Sequence, residues 1–199
     1  FEDECFFIRH GKRVIDRGRY QLDFRNKKVR RFASTVVDRV VREYGAGFIK
    51  FDYNIDAGSG TEIDSASFGD GLLAHNRAYL DWIEEIKKRY PDLILENCSS
   101  GGLRLDYAML AKHHIQSMSD QEDCRDTAYI AAAAPTAALP EQAGIWAYPQ
   151  ADNNENETAF LMTSTLLQRI YLSGQITSLS EGNFALVKEA IRCYKQIRY

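Results

Sequence analysis

No stretch of this 199-residue sequence approaches the ~20 consecutive apolar residues that a helix needs to cross a bilayer, so no membrane partner is expected. Cysteine is scarce. The four, Cys5, Cys98, Cys124 and Cys193, include no CxxC pair, and no histidine stands at zinc-finger spacing from them. That excludes a metal knuckle and a disulfide framework, and the thiols are read as free. Positive charge is not in excess: 25 Lys and Arg against 28 Asp and Glu leave a net charge of -3, which disfavours nucleic-acid binding through phosphate neutralisation. Both the dinucleotide fingerprint GxGxxG and the phosphate loop GxxxxGK(S/T) are missing. The start, FEDECFFIRHGKR, has neither an initiating Met nor a signal-peptide layout; the chain is read as cut there, and a cytoplasmic location is expected.

What is present is ordinary globular composition, 45% hydrophobic and 27% charged, with helix-period segments alternating with short β-like runs. RYQLDF (Arg19 to Phe24) reads as a strand before the helix in NKKVRRFASTVVDRVVREYG, whose apolar stripe runs from Val29 to Val41 and whose stop is Gly45. GFIKFD is the next strand, followed by a polar loop and a helix from about Leu72 to Arg89 that ends before Pro91. DLILENC, HHIQSMSD, GIWAYP and QITSLS supply four more strands. Between and after them come helices in LRLDYAMLAK, in DTAYIAAAAPTAAL up to a break at Pro135, in ETAFLMTSTLLQRIYLSG and in NFALVKEAIRCYKQIRY. Six βα units result. Polar residues gather at the strand C-termini, at Asp23, Asp52 with Asn54, Cys98 and Asp120, and chemistry drawn from many strand ends is how a (β/α)8 barrel builds its site. The fold expected is α/β, a partial (β/α)8 barrel with two units missing upstream.

Three segments could carry chemistry. In Lys50-x-Asp52-x-Asn54 the three polar side chains share one face of a strand, and a lysine beside Asp52 favours its ionised form; Asp52 is either a nucleophile or the start of a turn. ENCSSGGLRLD, Glu96 to Asp106, either brings glycine backbone close to a sugar or phosphate or makes a tight strand-to-helix turn. In MSDQEDCRD, Asp120, Glu122 and Asp123 crowd together, which suits a general acid, a solvated acidic loop or a metal. His113 and His114 open a strand at the opposite end and are assigned a structural role, and the sequons at Asn97 and Asn156 carry little weight.

In this order, IKFDYN, CSSGGLRLD and MSDQED resemble the KWDxN, CxSGGxRxD and SDxxD segments of glycoside hydrolase family 36, the bacterial α-galactosidases or melibiases. The resemblance extends over nearly the whole chain. It implies a catalytic (β/α)8 barrel of which residues 1–199 hold strands three to eight, without the family's amino-terminal β-sandwich and carboxy-terminal β-domain. It also implies Asp52 as nucleophile and Asp120 as acid/base, with Arg19, Lys50, Asn54, Cys98, Gly101, Arg104 and Asp123 on the substrate. The activity implied is retaining hydrolysis of terminal α-linked galactose, with an α-galactoside oligosaccharide as partner, no cofactor or metal, and a homo-oligomer possible for the full-length parent. Phe51 and Tyr53 replace the family's Trp and Met, and Gln121 and Glu122 its Asn-Thr. An α-N-acetylgalactosaminidase or a galactosyl-transferring relative stays open, as does a non-catalytic carbohydrate-binding remnant. A phosphosugar barrel ranks third, because ITSLSEGN offers Ser and Glu where basic residues are wanted. Unpaired edges at the first and last strands lead to the expectation that the chain alone aggregates or is poorly stable.

Overall fold

The computed structural model describes residues 1–198. They fall into two compact units, Phe1–Ile49 with Tyr53–Ile94, and Lys50–Asp52 with the chain from Leu95 onward.

The first unit opens with two short antiparallel hairpins, β1 (Ile8–Arg9) with β2 (Lys12–Arg13) and β3 (Ile15–Asp16) with β4 (Arg19–Tyr20). Each turns through two consecutive residues of positive φ, His10-Gly11 (50° and 71°) and Arg17-Gly18 (49° and 77°), the conformation a two-residue hairpin demands. Helix α1 (Lys27–Arg42) starts at Asn26, whose side chain accepts from the Lys28 amide, and the chain leaves it through Gly45 at φ 70°. Of the apolar stripe on α1, Val29 and Val37 are buried, while Phe32 and Val36 stay exposed. Helix α2 (Phe68–Arg89) is capped by Ser67 and carries His75, Tyr79 and Trp82 into an aromatic cluster with Phe24 and Tyr53. A buried polar network threads that cluster. The Phe24 N–H donates to His75 Nδ1 (3.0 Å), His75 Nε2 lies 2.8 Å from the Tyr53 hydroxyl, and Gln21 Nε2 donates to the same hydroxyl. Arg25 grips the Asp23 carboxylate with two nitrogens.

A five-stranded sheet runs in the order β5 (Phe48–Asp52), β6 (Ile94–Cys98), β7 (Ile115–Ser117), β8 (Ala143–Ala147), β9 (Arg169–Leu172), and the second unit holds it from Lys50 of β5 and from Leu95 of β6. The pairs β6·β7, β7·β8 and β8·β9 are parallel, with Gln116 opposite Ala143 and Trp146 opposite Tyr171. Parallel neighbours need crossovers. These are α3 (Tyr107–Leu110), α4 (Cys124–Ala133) and α5 (Glu155–Thr165), and α6 (Glu181–Ile197) follows the last strand. α4 gives way to a 3-10 turn at Ala134–Thr136, where Pro135 cannot continue it. One apolar cluster packs Ala131, Ala134 and Ala138 on Ala143 and Ile145, and another packs Met162 and Val187 on Ala147. Sequential parallel strands joined by helices, in this order, make a partial (β/α)8 barrel.

The sheet has five strands where six are expected. Arg19–Phe24 is not among them: Arg19 and Tyr20 complete a local hairpin, and Leu22 makes a single antiparallel bridge to Phe6. QITSLS forms one 3-10 turn at Ile176–Ser178. The last strand is instead Arg169–Leu172, inside the segment expected to be helical; α5 stops at Thr165, and the β-favouring Ile170-Tyr171 pairs with β8. The helix expected across LRLDYAMLAK is confined to the turn that Asp106 caps. His113 and His114 are structural as expected, through Met109 O and the Leu95 amide. No helix among the described residues is long and apolar enough to cross a membrane.

Candidate active site

The C-terminal ends of β5 and β6 each present two polar side chains two residues apart, and so on one face, Lys50 with Asp52 and Glu96 with Cys98, while at the end of β8 Trp146 is joined by Tyr148, one residue beyond the strand. These six belong to the second unit. The Lys50 ammonium lies 3.5 Å from Glu96 Oε1 and 5.1 Å from the centre of the Trp146 ring. Trp146 stacks on Tyr148 at 5.3 Å and meets Tyr171 edge-on at 5.0 Å.

Glu96 is 2% exposed. Burial raises its carboxyl above the ordinary range, opposed by Lys50 and by the Tyr171 hydroxyl and reinforced by the nearby charge of Asp52. Burial by itself would lower the Lys50 pKa, but the negative charges of Glu96 first and Asp120 after it outweigh that effect, so the ammonium is held charged. The Cys98 thiol is pushed up by burial and by its contact with the Asp52 carboxylate, and therefore stays protonated and able to donate to it. Tyr148 is raised by burial and by Glu122 and Asp120.

Asp120 follows β7 by three residues and is exposed. The loop behind it explains a glycine. Ser100 and Gly101 both take positive φ (42° and 80°), and a Cβ on Gly101 would stand 2.5 Å from Ser119 Cα and 3.0 Å from the Asp120 nitrogen. The loop after β6 thus lies backbone to backbone on the segment that carries Asp120. Below it, Asn97 Nδ2 donates to Gln116 Oε1 (2.6 Å) and to the Arg104 carbonyl, tying β6, β7 and the loop together.

The structure gathers Lys50, Asp52, Cys98, Gly101 and Asp120 in one unit. Arg104 is in that unit too, half-buried, and Asp123 caps α4 by accepting from the Arg125 and Asp126 amides, which lower its pKa. Arg19 is exposed on β4 and Asn54 half-buried just beyond β5; both are counted with the first unit. Because β5 ends at Asp52, the strand alternation that groups Asn54 with Lys50 stops short of it. Motif reading does not single out Glu96, Trp146, Tyr148 or Tyr171. The signal for Glu96 is a charge inside an apolar strand two residues before Cys98, and that for Tyr171 is hidden by the helical reading of its segment. Among the described residues no group of three or more His, Cys, Asp or Glu side chains is arranged to hold a metal ion.

Comparison with known proteins gives a consistent result. The melibiase family model matches residues 2–199. Alpha-galactosidase 2 of Pediococcus pentosaceus is 30% identical over 120 residues, 59% of this chain and 17% of that protein. The bifunctional alpha-galactosidase/sucrose kinase AgaSK of Mediterraneibacter gnavus is 33% identical over 114 residues, 54% of this chain and 11% of that protein. Among solved structures, the galactosidase domain of AgaSK superposes with a TM-score of 0.79 at 23% identity, over 98% of this chain and 27% of that one. A variant of the GH36 alpha-galactosidase AgaA from Geobacillus stearothermophilus, in complex with raffinose, gives 0.80 at 18%, over 98% and 28%. The chain therefore spans a small part of each relative, and at these identities the superpositions show the fold. With the family model covering all but the first residue, the chain belongs to the melibiase family.

Proposed function

We propose that this chain forms part of the catalytic barrel of a retaining α-galactosidase, in which Asp52 is the nucleophile and Asp120 the acid/base. The observation that carries the reading is the placement of two aspartates at strand ends separated by a single strand, with Lys50 between their fields. Neighbouring strands stand about 4.8 Å apart, so β5 and β7 are about 10 Å apart at the backbone. Two side chains leaning together over β6 close that gap toward the about 5 to 5.5 Å that double displacement needs. Barrel units and flanking domains beyond residues 1–199 belong to this reading, since the matched structures are several times longer.

The Asp52 carboxylate attacks the anomeric carbon of an α-galactoside while the bond to the leaving oxygen breaks and Asp120 gives that oxygen its proton. A β-linked galactosyl ester on Asp52 results. Water then attacks the same carbon, Asp120 takes its proton, and Asp52 is released with the sugar's α configuration restored. Cys98, protonated against Asp52, offers a donor that fixes the carboxylate's orientation before attack. Lys50, Arg104 and Gly101 line the sugar side of the site, with Asp123 fixing the loop that bears Asp120.

The test is Asp52→Gly in the intact protein, assayed on an aryl α-galactoside with and without azide. Turnover should fall by about 10⁴-fold or more, and azide should restore consumption while yielding the β-galactosyl azide, because the small anion takes the vacated place on the β face. Hydrolysis at the unmutated rate would sink the assignment of Asp52.

A further inference from the structure

Glu96 is a carboxylate among the most buried side chains of the sheet, and it carries no role in the double displacement. Its surroundings are specific. Lys50 lies 3.5 Å from Oε1, and the Tyr171 hydroxyl is close enough for the two groups to perturb each other's titration. Tyr171 reaches this place from β9 by laying its ring across Gly144 of β8: a Cβ at Gly144 would fall 2.3 Å from Tyr171 Cζ and 2.4 Å from its hydroxyl oxygen. Only a glycine there leaves room for the ring. Trp146 braces the ring edge-on and faces the Lys50 ammonium. Glu96 Oε1, Trp146 Nε1 and the Tyr171 hydroxyl are all buried without a hydrogen bond of normal geometry, so the negative charge of Glu96 is answered chiefly by Lys50. An unpaired buried carboxylate is costly, which draws the flexible four-carbon arm of Lys50 into one position.

We propose that Glu96 is a positioning residue for substrate binding: it acts through Lys50, holding the ammonium against the Trp146 face and at the sugar, with the Tyr171 hydroxyl, admitted by Gly144, standing beside it. This rests on the α-galactosidase reading of the same site. Without Glu96 the ammonium loses its place, so the cost falls on KM more than on kcat.

A double-mutant cycle tests it in the intact protein, with Glu96→Gln, Lys50→Met and the two together, on an aryl α-galactoside. Glu96→Gln should raise KM about tenfold with a smaller change in kcat, and should change kcat/KM by less than about twofold once Lys50 is Met, because coupled residues are non-additive. An equal tenfold loss in the Lys50→Met background overturns the proposal, as does a loss confined to kcat. Tyr171→Phe, which keeps the ring over Gly144, supplies a second cycle should Glu96→Gln fold poorly: a KM rise of about threefold should likewise vanish with Lys50→Met, and its persistence counts against the proposal. If the wild-type protein turns over no α-galactoside, the functional reading falls. D-galactose binding to the same variants then decides the coupling on its own, additive losses overturning it and non-additive losses supporting it.

Discussion

Replacing Gly101 with alanine should damage stability and catalysis together. Gly101 holds φ +80°, where an L side chain costs about 1 to 2 kcal/mol. Its new Cβ would sit 2.5 Å from Ser119 Cα and 2.9 Å from Ser119 C, whereas carbon atoms settle at about 3.5 to 4.0 Å. Both obstructing atoms are main chain, so no rotamer change relieves the overlap, and overpacking of this kind costs about 1 to 3 kcal/mol. Together these give about 3 kcal/mol, or roughly 6 to 12 °C in Tm for a chain of this size. The backbone that yields is the one bearing Asp120, the acid/base of the proposed mechanism, and a displacement of about 1 Å at a reacting group costs about 100-fold in rate. The loss should be larger on galactosides with poor leaving groups, which depend most on a well-placed proton donor. Calorimetry and kcat/KM on a series of aryl α-galactosides read both effects. Gly58→Ala is the control: its φ is +55°, but its Cβ would meet only the end of the Arg9 side chain, so about 1 kcal/mol and no change in activity are expected. A Gly101→Ala protein that melts like Gly58→Ala and keeps its rate would refute the reasoning.

Two further outcomes follow from the first unit. Burial alone would raise the Asp23 carboxyl, but His75 and Arg25 hold it down to about 2, against an ordinary 3.8, which corresponds to about 2 kcal/mol of stability. With the folded pKa depressed, that stability is full above pH 3.8 and lost as pH falls toward 2; in Asp23→Asn it should be missing at neutral pH, so the stability difference between the two proteins, read by chemical denaturation, should shrink across that acid window. Tyr53→Phe removes the hydroxyl that His75 Nε2 and Gln21 Nε2 both meet, a loss of about 1 to 3 kcal/mol in a buried hydrogen-bond network, and the melting temperature should fall by several degrees. An unchanged melt would mean that the network is dispensable.

The sequence is most informative where local chemistry decides the structure. Gly45 after a periodic stripe, Pro91 after α2 and Pro135 after α4 are stops written in single residues, and each falls where a helix ends. The runs FIKFD, ILENC and AGIWA are strands because their apolar and β-favouring character agrees with their neighbours. Where partners decide, local reading fails. Arg19–Phe24 has a strand's composition, but the turn at Arg17-Gly18 ties its first residues to β3. Arg169–Leu172 follows α5 closely enough to pass for its last turn, and only pairing with β8 makes it a strand. At the site, Lys50, Asp52, Cys98 and Asp120 are legible because charge and small polar residues at strand ends are conspicuous. The reason for Gly101 lies in the backbone of Ser119, and that for Gly144 in the ring of Tyr171; neither contact has a local signature.

The alternation in IKFDYN has counterparts on two more strands, and this orders the site. Of the paired side chains, Lys50 among the first members meets both Glu96 and Trp146, and Asp52 meets Cys98 among the second. The first group contains one cation and one buried anion, so it is close to electrically balanced and serves to hold shape. Beyond it, Asp52 and, on the loop after β7, Asp120 are left as exposed carboxylates, held apart from Glu96 by the Lys50 ammonium. Without Lys50, burial would drive Glu96 toward its protonated form, since Lys50 is the largest influence that opposes it. Keeping Glu96 ionised is therefore a second consequence of the Lys50–Glu96 pair, and on the proposed reading it gives the strand that ends on Asp52 a reason to carry a lysine two residues earlier, whether the intervening aromatic is Phe51 or Trp.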